Sequence, residues 1–172
     1  KNERLIYAKG FGHANRENKE AVQPKHLFRV ASISKLITAV GIMHLKEEGK
    51  LKLNDQVFGE NGILNDPEFQ NIRDPRVKNI TIYHLLTHSG GWDRYGGDPV
   101  FMPYTIRREM NIELPIDLET TIKYTLSKKQ LDFTPGSRSS YSNFGYAVLG
   151  KVIEEITGMD YEFYIRSEER RV

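Results

Sequence analysis

Cysteine is absent from the 172 residues, which excludes disulfides, thiolate metal sites and a cysteine nucleophile. No apolar run reaches the roughly 18 residues that span a bilayer, so we predict no transmembrane segment. Neither sign of charge is in excess, since 25 Lys and Arg stand against 23 Asp and Glu, and this balance argues against a nucleic-acid partner. Internal repeats and low-complexity tracts are also missing. A chain of this length is expected to form one domain that buries about 70% of its unfolded surface.

The sequence does contain the patterns of strands and helices. Short apolar runs at residues 5–11 and 28–30 predict strands on either side of a polar, turn-rich stretch. Over residues 32–48, apolar side chains recur at helical spacing around most of the circumference and Gly49 follows, so we predict a central helix. Asn, Asp, Gly and Pro are frequent in residues 51–79, which favours loops. Three further helices are predicted at residues 81–88, 117–129 and 143–157.

Ser32 and Lys35 stand three residues apart at the start of the predicted central helix. Positions three apart share a helix face, and the N–H groups at a helix start favour negative charge. A lysine amine made neutral by burial or by a nearby cation can accept the serine proton, and the backbone amides can hold an oxyanion. The simpler alternative is that Ser32 caps the helix and Lys35 is a solvated residue of its first turn. Ser34 competes for the role of nucleophile, but no base stands at the matching offset.

Tyr141 and Asn143 form a second candidate group, just before another predicted helix. A tyrosine hydroxyl near a cationic lysine has a lowered pKa and can carry a proton to and from a leaving group. An asparagine two residues on can donate hydrogen bonds to a substrate and contact the lysine. The alternative is a half-buried turn tyrosine followed by an asparagine that caps the helix.

Three segments carry these residues in order: LFRVASISKLITAVGIMHLKEEGKLKLND, ITIYHLLTHSGG and FTPGSRSSYSNFGYAVLGKVIEEITG. They resemble the serine β-lactamase and penicillin-binding-protein superfamily, in particular its branch of class C β-lactamases, DD-peptidases and esterases. The resemblance implies an α+β fold of the β-lactamase/DD-peptidase type, with an antiparallel sheet flanked by helices and a helical subdomain. It further implies one incomplete domain, with a body of residues 1–50 and 141–172 and a helical and loop insert of residues 51–140.

The resemblance implies a role for each of four residues. Ser32 would be the acylated nucleophile and Lys35 its proton partner; Tyr141 would be the general acid/base for the leaving group, and Asn143 would contact the substrate and the lysine. Whether Lys35 or Tyr141 takes the first proton stays open, because coupled groups share their titrations.

The implied reaction is acyl transfer to water. A small-molecule or peptide substrate with an amide or ester carbonyl (a β-lactam, a D-Ala-D-Ala peptide or a small ester) is attacked, and the acyl-enzyme is then hydrolysed. No metal or organic cofactor is required. The resemblance also favours a periplasmic, cell-envelope or secreted location, and the sequence leaves the oligomeric state open.

One element of the family is absent from the chain. The resemblance calls for a Lys-Thr-Gly or His-x-Gly triplet on a late strand, which also supplies one of two oxyanion N–H groups, and no such strand follows Asn143. We therefore expect the C-terminal strands to be missing. Since removing one oxyanion donor costs about 10²- to 10³-fold in rate, we expect little activity from the chain alone. The missing element also keeps open a second class, a non-catalytic protein that uses this fold for binding or assembly.

Other residues could serve a site of a different kind. His84 and His88 are four apart on a predicted helix and could share a metal, but no zinc-protease glutamate accompanies them and no third ligand is evident. We expect structural roles for both histidines. Trp92 and Tyr95 belong to a long aromatic loop, where they could contact a substrate or pack against the core.

Overall fold

The computed structural model describes the backbone of residues 5–169 and the side chains of residues 5–166. The chain divides into two compact units, the first ending at Ile33 and the second beginning at Ser34. The described residues are mainly helical, with a small antiparallel sheet of two strands. Among them, no helix has both the length and the apolar character needed to cross a bilayer.

The first unit contains a short β-hairpin. Strand β1, His13–Asn15, pairs antiparallel with strand β2, Glu20–Ala21. The turn between them is closed by the Asn15 side chain, whose Oδ1 accepts a hydrogen bond from the backbone N–H of Asn18 at 3.1 Å. This asparagine turn reverses the chain locally and brings the two strands side by side.

The strands predicted at residues 5–11 and 28–30 are therefore wrong. In the structure neither stretch is a strand, and the hairpin lies in the polar segment between them. The apolar side chains of the first stretch are exposed: Leu5 is 83% and Phe11 77% accessible. A strand forms only where another strand pairs with its backbone. Here the Asn15 turn brings two polar segments together as partners. Because these segments lack alternating apolar residues, their sequence did not predict strands.

The second unit begins with helix α1, Ser34–Glu47. The helix predicted over residues 32–48 is thus correct in its body, but its α-helical part starts at Ser34. Before it, Ala31–Ile33 form a 3₁₀ turn in which the N–H of Ile33 bonds to the carbonyl of Val30 at 3.1 Å. Such tighter turns commonly lead into an α-helix.

Helix α1 buries one face and exposes another. Thr38, Gly41, Ile42 and Leu45 are buried. On the opposite side an apolar stripe is accessible, with Leu36 63%, Val40 57% and Met43 37% exposed. The apolar circumference seen in the sequence is thus only partly covered by the described residues.

Five further α-helices follow among the described residues of the second unit. The predictions at residues 81–88, 117–129 and 143–157 each match a helix, with side-chain caps from Thr81, Asp117 and Ser142. The last of them ends at Gly158, which adopts the left-handed conformation that glycine tolerates at a helix end. The helices are α2, Ile82–Leu86; α3, Pro103–Met110; α4, Leu118–Lys128; α5, Asn143–Thr157; and α6, Tyr161–Glu169.

Helix α5 lies at the centre of the second unit, where it packs against α1, α2 and α6. Trp92 is buried beside it, with its ring edge-on to Phe144 at 4.9 Å and to Phe58 at 6.4 Å. Trp92 is therefore a core residue, whereas Tyr95 is 89% exposed. The buried apolar side chains of α5 are Phe144, Val148, Leu149, Val152 and Ile153.

A buried carboxylate ties two loops of the second unit together. Asp74 Oδ2 accepts hydrogen bonds from Arg76 Nη2 at 2.6 Å and from the backbone N–H of Leu131 at 3.0 Å. Its Oδ1 accepts from the backbone N–H of Arg76 at 3.0 Å. The bonds from Arg76 outweigh burial and lower the pKa of Asp74 to about 2.

Candidate active site

The packing of α1 on α5 brings together three of the four predicted site residues. Lys35, in the first turn of α1, donates a hydrogen bond from Nζ to Asn143 Oδ1 at 2.7 Å. The same ammonium lies 4.7 Å from the centre of the Tyr141 ring and 5.8 Å from that of Tyr146. Residues that are 108 positions apart in the chain thus share one site.

These contacts show that Lys35 is not a fully solvated first-turn residue. Its charge is held by an amide oxygen and two aromatic faces, a combination that fixes an ammonium by hydrogen bonding and by cation–π attraction. Because Oδ1 of Asn143 accepts from the lysine, its amide N–H₂ group can donate elsewhere.

Ser32 lies in the 3₁₀ turn Ala31–Ile33 of the first unit, three residues before Lys35 in the chain. Its competitor Ser34 is the first residue of α1, and its carbonyl accepts a hydrogen bond from Thr38 Oγ1 at 3.1 Å. Both serines are exposed.

Ser142, and not Asn143, is the cap of α5. The Ser142 hydroxyl accepts from the backbone N–H of Gly145 at 3.0 Å, as an N-cap side chain does. Asn143 is the first helical residue, so its side chain is left to bond Lys35. The alternative that Asn143 only caps the helix is therefore wrong, because Ser142 is the cap.

A carboxylate that the sequence did not reveal holds the start of α5. Asp98 Oδ2 accepts from the backbone N–H groups of Asn143 at 2.6 Å and Phe144 at 3.4 Å, while Oδ1 accepts from Val100 at 3.3 Å. An anion at this position complements the partial positive charge of a helix N-terminus. Asp98 therefore fixes the backbone from which Asn143 reaches the lysine. In the sequence, Asp98-Pro99 is an ordinary helix-start pattern, which indicates the bond to Val100 but not the bonds to α5.

A second aspartate anchors the chain just before Tyr141. Asp93 accepts from Arg138 Nη2 at 2.7 Å, from the Ser140 hydroxyl at 3.3 Å and from the backbone N–H of Tyr95 at 3.0 Å. The bonds from Tyr95 and Arg138 lower the pKa of Asp93. The long aromatic loop is thus tied to the segment that leads into the site.

Two aromatic side chains, those of Tyr146 and His88, pack beside Lys35 and Tyr141. Tyr146 donates its hydroxyl to the carbonyl of Leu86 at 3.0 Å, and burial, followed by the proximity of Tyr141, raises its pKa. The His88 ring lies 4.6 Å from that of Tyr141 and 5.0 Å from that of Tyr146. Burial, followed by the charge of Lys35, lowers the pKa of His88.

The two histidines considered as metal ligands make structural hydrogen bonds instead. His84 closes a capping box, because its Nδ1 accepts from the Thr81 N–H while its own N–H bonds the Thr81 hydroxyl, both at 3.3 Å. His88 Nδ1 accepts from the backbone N–H of Ser142 at 3.2 Å. Over the described residues, no group of three or more His, Cys, Asp or Glu that could hold a metal is found.

A cleft of about 320 Å³ opens beside the Lys35–Asn143 pair. Its wall runs along α1 and α5 and reaches α6 at Tyr161, whose hydroxyl shares a hydrogen bond with Thr38 at 2.7 Å. Much of the remaining wall is apolar, as at Leu118. A small molecule could therefore lie with one end against the ammonium.

Comparison with known proteins places the chain in a family. The model of the Beta-lactamase family matches residues 1–171. The chain belongs to this family. A relative from Dichelobacter nodosus, named "Putative fimbrial assembly protein FimD, serogroup D", is 36% identical over 135 residues, which are 78% of this chain and 30% of that protein.

Solved structures agree with this membership. The octameric penicillin-binding protein homologue from Pyrococcus abyssi is 37% identical with a TM-score of 0.69, over 95% of this chain and 35% of that one. EstCE1, a hydrolase with promiscuous acyltransferase activity, is 29% identical with a TM-score of 0.71, over 95% of this chain and 42% of that one. The chain thus spans between 30% and 42% of the length of these three relatives.

The family-level predictions are confirmed. The Beta-lactamase match and the penicillin-binding-protein-like neighbours place the chain in the serine β-lactamase and penicillin-binding-protein superfamily, whose members include hydrolases. The mainly helical second unit with a small antiparallel sheet elsewhere in the chain resembles the corresponding part of these larger folds.

Proposed function

We propose that this chain carries the acyl-transfer residues of a serine hydrolase. The observation that supports the proposal most is the Lys35 ammonium, bonded to Asn143 Oδ1 and lying over the Tyr141 ring. A fold has no structural need to gather a lysine, a tyrosine and an asparagine at the end of a helix that starts just after a serine. General acid–base chemistry on that serine does need them.

The proposed reaction proceeds in two halves. Ser32 Oγ forms a bond to the carbonyl carbon of an amide or ester, its proton passes to Lys35 as a neutral amine or to Tyr141 as a phenolate, and the carbonyl oxygen becomes an oxyanion. The oxyanion then collapses, the bond to the leaving group breaks, and Tyr141 protonates that amine or alcohol. Water repeats the attack on the acyl-enzyme and releases a carboxylic acid and the free serine.

Asn143 has two tasks in this proposal. Its Oδ1 keeps the Lys35 ammonium in place, and its N–H₂ group donates to the substrate. The Asp98 carboxylate supports both tasks by holding the Asn143 backbone.

An amide or ester substrate is supported by what the solved neighbours are named: a penicillin-binding protein homologue and a hydrolase with acyltransferase activity. We further propose that the 172-residue chain hydrolyses slowly by itself. It spans 35% and 42% of those two proteins, and its sequence has no Lys-Thr-Gly or His-x-Gly triplet after Asn143. One such donor is worth about 10²- to 10³-fold in rate.

A non-catalytic role in assembly is the second candidate. It is favoured by the relative named as a fimbrial assembly protein, which is 36% identical over 135 residues. In that case the residues around Lys35 would serve as a packed polar cluster, and Ser32 would not react.

Covalent labelling separates the two candidates. The chain is incubated with a fluorophosphonate or a fluorescent penicillin, and its intact mass is measured over time. Because one adduct needs no hydrolysis, it is detectable even where turnover is slow. We expect one adduct per chain for the wild type and for the control Ser34→Ala, and none for Ser32→Ala. A folded wild-type chain that acquires no adduct would contradict the hydrolase and favour the assembly protein.

A further inference from the structure

The segment that carries Tyr141 and Asn143 is held by a single residue on both sides of the tyrosine. The backbone N–H of Ser140 donates to the carbonyl oxygen of His88 at 2.8 Å. The backbone N–H of Ser142 donates to Nδ1 of the same histidine at 3.2 Å. His88 thus bonds the residue before and the residue after Tyr141.

The backbone of His88 is itself unusual. Its φ is +57°, in the left-handed region that only a few per cent of residues other than glycine adopt. The chain reverses here after α2, with the N–H of Ser89 bonded to the carbonyl of His84 at 2.7 Å. A left-handed residue at a turn near a site is commonly kept there by the contacts it makes, and both acceptors of His88 serve the segment 140–143.

The ring of His88 packs against the two tyrosines that contact the Lys35 ammonium. From the segment before α5 it meets Tyr141, and from α5 itself it meets Tyr146, with ring centres 4.6 and 5.0 Å away. From α1 the Lys35 ammonium covers the same two tyrosine rings. The titratable groups around His88 are therefore one cation and two phenols.

We propose that His88, as a neutral imidazole with its proton on Nε2, is the positioning residue that sets Tyr141 and Asn143 against Lys35. The Nδ1 lone pair accepts from Ser142, and this bond fixes the last turn before α5. The inference rests on the proposed function, in which Tyr141 and Asn143 act on the substrate.

Protonation of His88 would undo this arrangement. An imidazolium has no lone pair on Nδ1 and cannot accept from Ser142, and it would add a second positive charge near Lys35. Burial, followed by the charge of Lys35, lowers the pKa of His88 below its usual 6.5, so the imidazole is neutral at pH 7. We therefore expect the rate of Ser32 acylation to be highest at pH values above the pKa of His88 and to decline as the pH falls through that pKa.

Nuclear magnetic resonance tests the positioning without using activity. Histidine ¹⁵N spectra at pH 7 are expected to show an unprotonated Nδ1 and a protonated Nε2 for His88. The amide signal of Ser142 is expected to shift with the midpoint of His88 titration, below pH 6.5. A proton on Nδ1 at pH 7, or a Ser142 amide that ignores the titration, overturns the inference.

Two substitutions at His88, one that keeps a hydrogen-bond acceptor and one that removes it, test the effect on the rate of acylation. His88→Asn keeps a side-chain acceptor and suits the left-handed backbone, whereas His88→Leu keeps bulk without an acceptor. The rate of adduct formation with a fluorophosphonate is expected to fall roughly tenfold or more in His88→Leu and less than about threefold in His88→Asn. In the rate–pH profile, the acidic inflection of the wild type should vanish in His88→Asn and persist in the control His84→Asn.

The outcomes separate this inference from the function on which it rests. If Ser32→Ala abolishes the adduct while folded His88→Leu reacts at the wild-type rate, positioning by His88 is wrong and the serine hydrolase stands. An acidic inflection that persists in His88→Asn contradicts the inference in the same way. If the wild type forms no adduct that depends on Ser32, the proposed function is wrong, and the resonance of Ser142 still decides whether His88 holds the segment.

Discussion

At the scale of single residues, the site depends on how one ammonium is held. Lys35 combines an amide acceptor with two aromatic faces, and the amide that accepts from it is kept in place by Asp98 through the backbone of Asn143. The order of support therefore runs from Asp98 to Asn143 to Lys35. A substitution at any of these positions is expected to slow the acylation of Ser32.

Asp98 offers a direct test of that order. In Asp98→Ala the N–H groups of Asn143 and Phe144 lose their acceptor, and we expect a loss of about 1 to 2 kcal/mol in the free energy of unfolding, typical of a helix cap. We also expect fluorophosphonate labelling to slow by roughly tenfold, since a loosened Asn143 no longer fixes Lys35. Urea unfolding and timed intact-mass measurements give the two quantities.

The matched control is Asp117→Ala. Asp117 caps α4 by accepting from the Thr120 N–H at 2.7 Å, as Asp98 does for the start of α5. It should cost similar stability without slowing the labelling. Equal slowing in both variants would show that Asp98 acts only through general stability.

The motif residues could be predicted from the sequence, but the residues that hold them in place, Asp98 and His88, could not. Ser-x-x-Lys and Tyr-x-Asn are short patterns in the chain, so Lys35, Tyr141 and Asn143 were identified as candidates from sequence. Asp98 and His88 act through hydrogen bonds to residues 45 and 54 positions away. No local pattern encodes such distances, so both were missed as parts of the site.

At the scale of elements, local signals explain what was predicted well. Helix α5 has helical periodicity, a serine cap and a closing glycine, so its bounds of Asn143–Thr157 were predicted. Helix α3, Pro103–Met110, was missed; it has only 8 residues, and Ile106 is its one buried residue. The hairpin β1–β2 was missed because its pairing depends on the Asn15 turn and not on apolar alternation.

Asp74 gives a prediction at the scale of elements, because it joins the 3₁₀ turn Pro75–Asn79 to the backbone of Leu131. Its pKa in the folded chain is about 2, below the model-compound value of 3.8. Its contribution to stability is therefore full above about pH 4 and lost as the pH falls toward 2. In Asp74→Asn we expect the free energy of unfolding at pH 7 to drop by up to about 2 kcal/mol.

Urea unfolding of both proteins at pH 7, 4 and 3 checks the sign. The difference between wild type and Asp74→Asn should shrink at pH 3, because the Asp74 carboxyl group of the unfolded chain then binds a proton that the folded carboxylate does not. A difference that stays constant over this range would mean that the carboxylate charge contributes nothing.

At the scale of the whole molecule, the family was predictable from the order of its motifs. Three segments in the family's order predicted the superfamily, and the match over residues 1–171 confirmed it. The division into a body and an inserted subdomain stays a prediction. The exposed stripe of Leu36, Val40 and Met43 on α1 could not be predicted, since burial depends on what packs against a helix and not on its periodicity.

The most direct test of the account is the position of the covalent adduct. Trypsin cuts after Arg29 and after Lys35, so residues 30–35 form one peptide that contains both Ser32 and Ser34. After labelling with a fluorophosphonate, fragment-ion mass spectrometry of this peptide locates the modified oxygen. The account predicts the label on Ser32 alone. A label on Ser34, on a serine elsewhere in the chain, or on no residue of the folded protein would contradict it.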